Sequence, residues 1–287
     1  MDWTPGGTSS DIEDRRDQGG GGGGGGFGFG GFHLGIGGTL ILLVLSLVFR
    51  TNLFTLFSGG GGGAPSAYSQ PSGPTASTDN PKEKDFIGFV LNDVQKTWER
   101  LLPDSGRAYR HVKLVLFRDL TNSGCGRADA ATGPFYCPDD EKVYLDLGFF
   151  DELQKRFGAP GEFAQAYVLA HEIGHHVQKL LGIEGQIRQL QEQNPSRAKA
   201  YSVALELQAD CLAGVWGHSA EERKFVAMNE VEGGLAAAAS VGDDRLQRMA
   251  GRQVSPESFT HGSSAQRTAW FKKGLDAGTV DSCSLNR

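Results

Sequence analysis

From about residue 85 onward, the sequence predicts an α+β fold that is richer in helix than in strand. Two segments predict strands: the β-branched and apolar run at 111–119 and the alternating run "KVYLDLGFF" at 142–150. Apolar residues recur at helical spacing in three longer segments, which predicts long helices over 84–103, 160–182 and 196–218. Shorter helices are expected at about 221–229, 231–241 and 263–275.

The three long helices carry recognisable end signals. Pro103 ends the first, because proline cannot continue a helix. The second has Pro160 at its start and Gly182 as its terminator. Ser196 is a plausible N-cap for the third.

The first third of the chain has a different composition. Most of the excess among the 42 glycines lies there, in the runs 19–26 and 59–63. Segments with so few apolar residues have little to bury and are expected to be disordered or flexible. We therefore expect a disordered glycine-rich tail over 1–32, a flexible linker over 58–84 and a folded domain over 85–287.

Between the glycine runs, residues 33–57 form an apolar segment that predicts a single transmembrane anchor. Its core, Leu34–Phe49, carries no charge, and Arg50 can extend the usable length by reaching toward the headgroups. A cleaved signal peptide and a buried core helix both fit this position less well. Arg15 and Arg16 before the segment weakly favour a cytoplasmic N-terminus.

Charge and cysteine content restrict the function and the compartment. A net charge of −6 and a pI near 5.7 argue against nucleic acid as a partner. Four cysteines, Cys125, Cys137, Cys211 and Cys283, are spaced unlike a zinc site, and two disulfides in an oxidising compartment fit better. That compartment is the periplasm or cell exterior. Cys125 could pair with Cys137 across a glycine-rich loop, which leaves Cys211 for Cys283 by elimination. Spacing alone fixes neither pair, and four reduced thiols in a cytosolic domain remain the alternative.

The sequence "AHEIGHHVQK" at 170–179 carries the strongest chemical signal. His171 and His175 are four residues apart, so both imidazoles project from one face of the predicted helix and can bind one zinc ion. Glu172 lies beside them and can act as general base on a zinc-activated water. Gly174 is unusual inside a helix and is expected where another backbone approaches closely.

A catalytic zinc ion needs a third ligand, and the next predicted helix offers one. Glu206 and Asp210 again lie four residues apart on one face. Glu206 can complete a His2Glu site, and Asp210 can accept the second N–H of a ligand histidine. An extended histidine-rich motif is excluded, because Leu181 stands where its third histidine would be. The alternative for both carboxylates is an ordinary solvated helix face.

Longer stretches of the chain resemble the bacterial "putative neutral zinc metallopeptidase" family. The resemblance covers "DIEDRR", "GCGRADAATGPFYCPDDEKVYLDLGFF", "GEFAQAYVLAHEIGHHVQKLLGIE", "ELQADCLAGVWGHS", "GDDRLQ" and "SFTHGSSAQRTAWFKKG". It implies a zincin-like, membrane-anchored zinc metallopeptidase. The Glu-x-x-x-Asp pair also resembles the gluzincin pattern, which implies His171, His175 and Glu206 as zinc ligands, Glu172 as general base and Asp210 as their partner. The tether and glycine runs depart from the family.

Two further roles are expected of such an enzyme. An extended peptide substrate would pair with a sheet edge near the zinc, for which the strand "KVYLDL" is the candidate. A hydrogen-bonding group would stabilise the oxyanion, with His261 as first candidate and Arg267 and Tyr167 behind it. His261 could equally be an ordinary loop histidine, and His33, His111, His176 and His218 are expected to pack or lie at the surface.

Three functional hypotheses follow. The first is a membrane-anchored zinc peptidase that hydrolyses peptide or protein substrates. The second is a catalytically inactive, zinc-containing binding or scaffold protein of the cell envelope, against which the presence of Glu172 argues, since a structural site needs no base. The third is a zinc amidase that acts on a non-protein substrate.

Overall fold

A four-stranded sheet and the helices around it make up most of this computed structural model, which describes residues 1–3, 9–18, 81–129, 133–150 and 161–285. Its strands are β1 Ile12–Asp14, β2 Lys113–Phe117, β3 Leu120–Ser123, β4 Gly126–Asp129, β5 Phe135–Cys137 and β6 Lys142–Asp146. Its α-helices are α1 Pro81–Leu101, α2 Glu162–Leu181, α3 Ile183–Gln193, α4 Ala198–Glu222, α5 Met228–Ser240, α6 Asp243–Met249 and α7 Ser264–Ala277. The predicted helix-rich α+β class is confirmed.

The sheet has the order β1-β2-β6-β5. Strands β1, β2 and β6 are parallel, and β5 pairs antiparallel with β6 at the far edge. Strands β3 and β4 form a separate antiparallel hairpin. The strand predicted at 142–150 therefore lies inside the sheet, so its expected role as the edge that binds substrate is wrong.

Alternate residues of the sheet face two apolar clusters, as the twofold period of a strand requires. Leu114, Leu116 and Leu145 join the main core, which also holds Trp98 of α1 and Trp216 of α4. On the other face, Val115, Phe117 and Tyr144 pack around Cys137. The main core thus ties the sheet to the helices that carry the histidine motif.

A disordered tail was expected over 1–32, but residues 12–14 form strand β1, while 4–8 and 19–32 lie outside the described residues. Ile12–Asp14 pairs in register with Leu114–Leu116. Three lysines from separate elements bind the acidic side chains around this strand at 2.7 Å: Lys113 binds Asp11, Lys142 binds Glu13 and Lys84 binds Asp14. A three-residue strand is too short to show an alternating sequence pattern. Residues far along the chain stabilise it instead.

The position of β1 also bears on the predicted membrane anchor at 33–57, which lies outside the described residues. Two strands of one sheet lie on the same side of a membrane. A single crossing between β1 and α1 would separate β1 from β2, so this sheet does not support the expected single-pass arrangement. Among the helices of the described ranges, none is both long and apolar enough to cross a membrane.

Helices α2, α4 and α7 stack with unusually short separations. A Cβ atom added to Gly274 of α7 would lie 1.9 Å from the carbonyl oxygen of Cys211, and one added to Gly214 of α4 would lie 2.0 Å from that of Phe271. Glycine is therefore required on both sides of the α4–α7 contact. The disulfide Cys211–Cys283 joins α4 to the chain just after α7.

Helix boundaries differ modestly from the predictions. The three long predicted helices appear as α1, α2 and α4, and α1 begins at Pro81, inside the linker expected over 58–84. The helix expected at 221–229 is the end of α4 plus a turn, and α3 and α6 were not predicted. Glycine at 182 ends α2 in a left-handed conformation, with φ at 78°, as its sequence position suggested.

Candidate metal centre

Two helices bring three potential metal ligands to one point. His171 and His175 lie one turn apart on α2, and Glu206 faces them from α4. One ligand atom from each residue lies within 4.8 Å of the others. The Glu206 carboxylate is 3.3 Å from Nε2 of His171 and 3.6 Å from Nε2 of His175.

The two carboxylate–imidazole separations, 3.3 and 3.6 Å, are close to those of a zinc site. Bonds of about 2.0–2.1 Å at a tetrahedral angle place neighbouring ligand atoms about 3.3–3.4 Å apart. Two imidazole nitrogens and one carboxylate oxygen are also the donor set of many catalytic zinc sites, which keep a fourth position open for water or substrate. The residues present therefore fit the metal that the sequence predicted.

Close packing of α2 on α4 sets this geometry. A Cβ atom on Gly174 would lie 3.1 Å from the carbonyl oxygen of Ala209, tighter than most real contacts. Gly174 directly precedes His175, and Ala209 follows Glu206 by three residues. The glycine thus lets the two helices approach where their ligands meet, as expected from its position in the motif.

Asp210 lies behind His171 and is fully buried. Its Oδ1 is 2.9 Å from Nδ1 of His171. A carboxylate only accepts, so Nδ1 of the histidine donates and its Nε2 lone pair is left to face the metal position. Arg267 donates to both oxygens of Asp210 at 2.8 Å, which holds the carboxylate in place.

The environment of Asp210 corrects two expectations about the oxyanion. Arg267 is only 4% exposed and is committed to Asp210. Tyr167 is also buried, and its hydroxyl donates to Oδ1 of the same carboxylate at 2.5 Å. Both side chains therefore support the residue behind His171 rather than pointing toward a substrate.

His175 is oriented by a residue that the sequence did not single out. Its Nδ1 is 2.8 Å from Oε1 of Gln178. The amide nitrogen of Gln178 donates to the carbonyl oxygen of Leu205 at 2.7 Å and to the Gln208 side chain at 3.0 Å, both on α4. Gln178 follows His175 by three residues, so helical spacing could have suggested this pair.

The electrostatics of the site favour positive charge. Burial opposes protonation of His171, but Asp210 and Glu206 outweigh it and raise the pKa of His171 to about 10. Burial acts against the charge of Glu206 as well, yet His175, His171 and His261 lower the pKa of that carboxyl overall. The buried carboxylate of Asp210 and the partly exposed carboxylate of Glu206 thus create a site that a divalent cation would neutralise.

Glu172 is half-buried beside the ligands. Burial, assisted by the charge of Glu206, raises its pKa to about 7, although His171 and the backbone N–H of Tyr136 act in the opposite direction. A carboxyl group with a pKa near neutrality can both accept a proton and return it during one reaction cycle. This is the behaviour expected of a general base.

His261 lies between α6 and α7, and its charge interacts with Glu206. Asp243 at the start of α6 holds it: Oδ1 is 3.1 Å from Nδ1 of His261. The other oxygen, Oδ2, accepts the backbone N–H groups of Thr260, His261 and Gly262 at 2.6, 2.7 and 3.2 Å. Asp243 lies in the segment "GDDRLQ", but no local spacing links it to a residue 18 positions later.

The sheet edge beside the metal centre is β5, which packs against α2. The backbone N–H of Tyr136 faces the Glu172 carboxylate closely enough to act on its pKa. A disulfide between Cys137 and Cys125 fastens the end of this strand. Pro134 and Pro138 flank β5, and prolines next to a short strand are typical of edges, so this signal was available in the sequence.

The remaining histidines of the described ranges form hydrogen bonds away from the metal centre. His176 bonds to Tyr136 and to the backbone of Arg110. His111 bridges Asp11 and Glu99, and Nδ1 of His218 bonds to the carbonyl oxygen of Leu275. His33 lies outside the described residues.

Comparisons with known proteins identify related sequences. The sequence model of the family described as "Putative neutral zinc metallopeptidase" matches residues 1–285. A relative from Escherichia coli K12, named "Uncharacterized protein YpfJ", is 43% identical over 290 residues, covering 99% of this chain and 98% of its own length. "Uncharacterized protein Rv2575" of Mycobacterium tuberculosis is 41% identical over 203 residues, 67% of each chain. No solved structure matches the chain.

Proposed function

Because the chain belongs to the family of putative neutral zinc metallopeptidases, we propose that it is a zinc-dependent peptidase of the His-Glu-x-x-His plus glutamate type. The observation that carries the proposal is the convergence of His171, His175 and Glu206 at distances that suit tetrahedral zinc. Glu172 beside them favours a peptidase over an inactive zinc-containing scaffold, since a structural site needs no base.

Zinc bound by the three ligands would polarise the scissile carbonyl and lower the pKa of a water molecule toward about 7. Glu172 accepts the proton of that water and later returns it to the leaving amine. Its raised pKa suits both steps, because a group that titrates near neutral pH exchanges protons at little cost.

Residues behind the ligands keep the site ordered. Asp210, held by Arg267, keeps Nε2 of His171 turned toward the metal position. Gln178 does the same for His175. Partners of this kind are worth about 10–100-fold in metal affinity or activity.

His261 is the proposed donor to the oxyanion. With Nδ1 held by Asp243, it offers Nε2 to a substrate oxygen. Burial acts to lower its pKa, but Asp243 and Glu206 raise it overall, which favours the protonated, donating form. Asp243 also fixes the backbone from Thr260 to Gly262, so that the donor is in place before substrate arrives.

The substrate would be an extended peptide segment lying along β5. A strand edge offers main-chain hydrogen bonds whatever the side chains of the substrate are. Tyr136 places this edge against Glu172, so a peptide bond held along β5 comes close to the base and the metal ligands.

We place the enzyme in an oxidising compartment, the periplasm or cell exterior. Both disulfides, Cys125–Cys137 and Cys211–Cys283, support this placement. The apolar residues 33–57 would attach the protein to a membrane while leaving β1 and the rest of the sheet on one side of it.

The test uses the full chain and two matched glutamate variants, with zinc content and cleavage of unstructured peptides measured in each. We expect one zinc per chain in the wild type. Glu172→Gln should keep its zinc and lose about 10²–10⁴-fold in cleavage rate, the range for loss of a general base. Glu192→Gln, an exposed change on α3, should behave as wild type.

Two outcomes would contradict the peptidase. A Glu172→Gln variant as active as wild type would remove the base from the mechanism. A wild type that holds one zinc ion but cleaves no peptide would favour the inactive zinc-containing scaffold instead.

A further inference from the structure

His176, the third histidine of "HEIGHH", joins α2 to two other parts of the molecule. It is 1% exposed, and both of its ring nitrogens have partners. Its Nε2 lies 2.8 Å from the carbonyl oxygen of Arg110, which can only accept, so Nε2 carries the proton. Its Nδ1 is then the acceptor for the hydroxyl of Tyr136, 3.0 Å away.

Tyr136 is the central residue of β5, so His176 acts on the proposed substrate edge. The Tyr136 side chain bonds to His176, while its backbone N–H faces the Glu172 carboxylate. Glu172 and His176 are four residues apart and lie on the same face of α2. One residue of the strand is therefore held at two successive turns of the helix that carries the metal ligands.

The other side of His176 is anchored independently of the metal centre. Gln95 of α1 accepts the backbone N–H of Val112 at 2.8 Å, which fixes the segment that contains Arg110. The same side chain donates to Asp11 at 2.9 Å. Tyr109 packs edge-on against the His176 ring, with centroids 5.7 Å apart. His176 thus connects β5 to a segment that is itself hydrogen-bonded to α1.

Strand β5 needs such support because it is short. Among the described strands Phe135–Cys137 pairs only with β6, and it also packs against α2. The disulfide holds the Cys137 end, whereas the Tyr136 hydroxyl bond to His176 holds the middle, next to the general base.

We propose that His176 is a positioning residue, which sets the distance of the substrate edge β5 from Glu172 through Tyr136. The inference rests on the proposed function and adds to it the element that aligns an extended peptide. A residue with this role affects substrates that lie along β5 more than substrates too short to reach it, and it leaves zinc binding unchanged.

The experiment compares Tyr136→Phe and His176→Leu with a control, His218→Gln, in the full chain. Tyr136→Phe removes only the hydroxyl, and His218 bonds to a backbone carbonyl on another helix. Hydrogen exchange of the 135–137 amides and the KM and kcat for long and short peptides are measured. His176→Gln, which keeps a donor and an acceptor, serves as the conservative rescue.

We expect faster amide exchange across 135–137 in Tyr136→Phe and His176→Leu, and wild-type exchange in His218→Gln. For long peptides KM should rise about five- to tenfold, as expected for loss of about one hydrogen bond, with kcat and zinc content little changed. Short peptides should be cleaved almost as by wild type. His176→Gln should recover part of the loss.

Unchanged exchange in both Tyr136→Phe and His176→Leu would overturn the proposal, and so would equal losses on long and short peptides. The exchange data need no catalysis. Faster exchange with a wild type that cleaves nothing would support the strand contact while rejecting the peptidase, so the two failures are distinguishable.

Discussion

The metal centre and the N-terminal strand both depend on ion pairs, but the two sets of pairs lie in different surroundings. The side chains of Asp210 and Arg267 are 0% and 5% exposed, whereas those of Asp14 and Lys84 are 28% and 26% exposed. Removing one partner of a buried pair leaves an uncompensated charge in a medium that solvates it poorly, while an exposed charge simply returns to water. The first region should therefore be sensitive to single substitutions, and the second should depend on its pairs collectively.

The largest expected effect is on crosslinking between β1 and α1, which tests whether β1 belongs to the sheet in the membrane-attached protein. Cysteines in an Asp14→Cys/Lys84→Cys double variant replace two side chains that meet at 2.7 Å. All four native cysteines form disulfides, so only the introduced thiols react with a short thiol crosslinker. We expect nearly complete crosslinking in intact membranes and none in either single variant. Absence of crosslinking in membranes would mean that β1 does not lie beside α1 there. That outcome would favour the single-pass arrangement.

The next effect is on stability. Asp210→Asn leaves Arg267 buried without its counter-charge, so we expect the zinc-free protein to lose about 3–5 kcal/mol of unfolding free energy. Urea denaturation in the presence of a chelator measures this. Asp14→Asn is the control and should cost about 0–1 kcal/mol.

An apolar replacement sharpens the same comparison. Asp210→Leu/Arg267→Met removes both charges and should recover much of the loss, because buried ion pairs often exchange for apolar residues at little cost. If Asp210→Asn and Asp14→Asn lose equal, small amounts of unfolding free energy, burial does not make the first ion pair more important for stability than the second.

A smaller effect is expected from the partner of His175. Gln178→Ala removes the acceptor at Nδ1, so the imidazole no longer has a fixed orientation. Zinc affinity, measured by competition with a chromogenic chelator, should fall about 10–100-fold. Gln193→Ala, at the end of α3, is the matched control. An unchanged affinity in Gln178→Ala would mean that packing alone orients His175.

The smallest effect is a pH dependence at the N-terminal strand. His111 lies between Asp11 and Glu99, with Lys113 on the other oxygen of Asp11 and the Tyr109 ring beside it. Burial acts to lower the pKa of His111, but the two carboxylates raise it overall.

A raised pKa in the folded state gives stability that is fully present below about pH 6.5, the unfolded value, and is lost as the pH rises through the folded value. Exchange of the β1 amides, corrected for intrinsic rates, should therefore accelerate as the pH rises above about 6.5. His111→Gln should remove this dependence, and the reverse trend in the wild type would contradict the assignment.

Local spacing was sufficient to nominate the residues that the structure brings together at the centre of the site. His171 with His175 and Glu206 with Asp210 are pairs one helical turn apart, so the helix period alone places each pair on one face. The same holds for the long helices and for β2 and β6, whose apolar patterns span several residues. These features are encoded within short windows of sequence.

The remaining features depend on contacts between distant segments. Asp243 and His261 are separated by 18 residues, Asp11 and Gln95 by 84, and neither pair has a periodic signal. Strand β1 owes its position to lysines far along the chain, and β5 became the edge because β6 lies between it and β2. The sequence suggested Arg267 and Tyr167 as oxyanion donors. Only the structure shows that both side chains donate hydrogen bonds to Asp210.

The most direct test of the account is X-ray absorption spectroscopy of the zinc-loaded full chain, with Glu206→Gln as comparison. We expect one zinc per chain with two imidazole nitrogens and light oxygen donors at about 2.0–2.1 Å, without sulfur. In Glu206→Gln the zinc should be weakly held or lost. A site without imidazole scattering, or a Glu206→Gln variant with an unchanged spectrum and affinity, would contradict the metal centre described here.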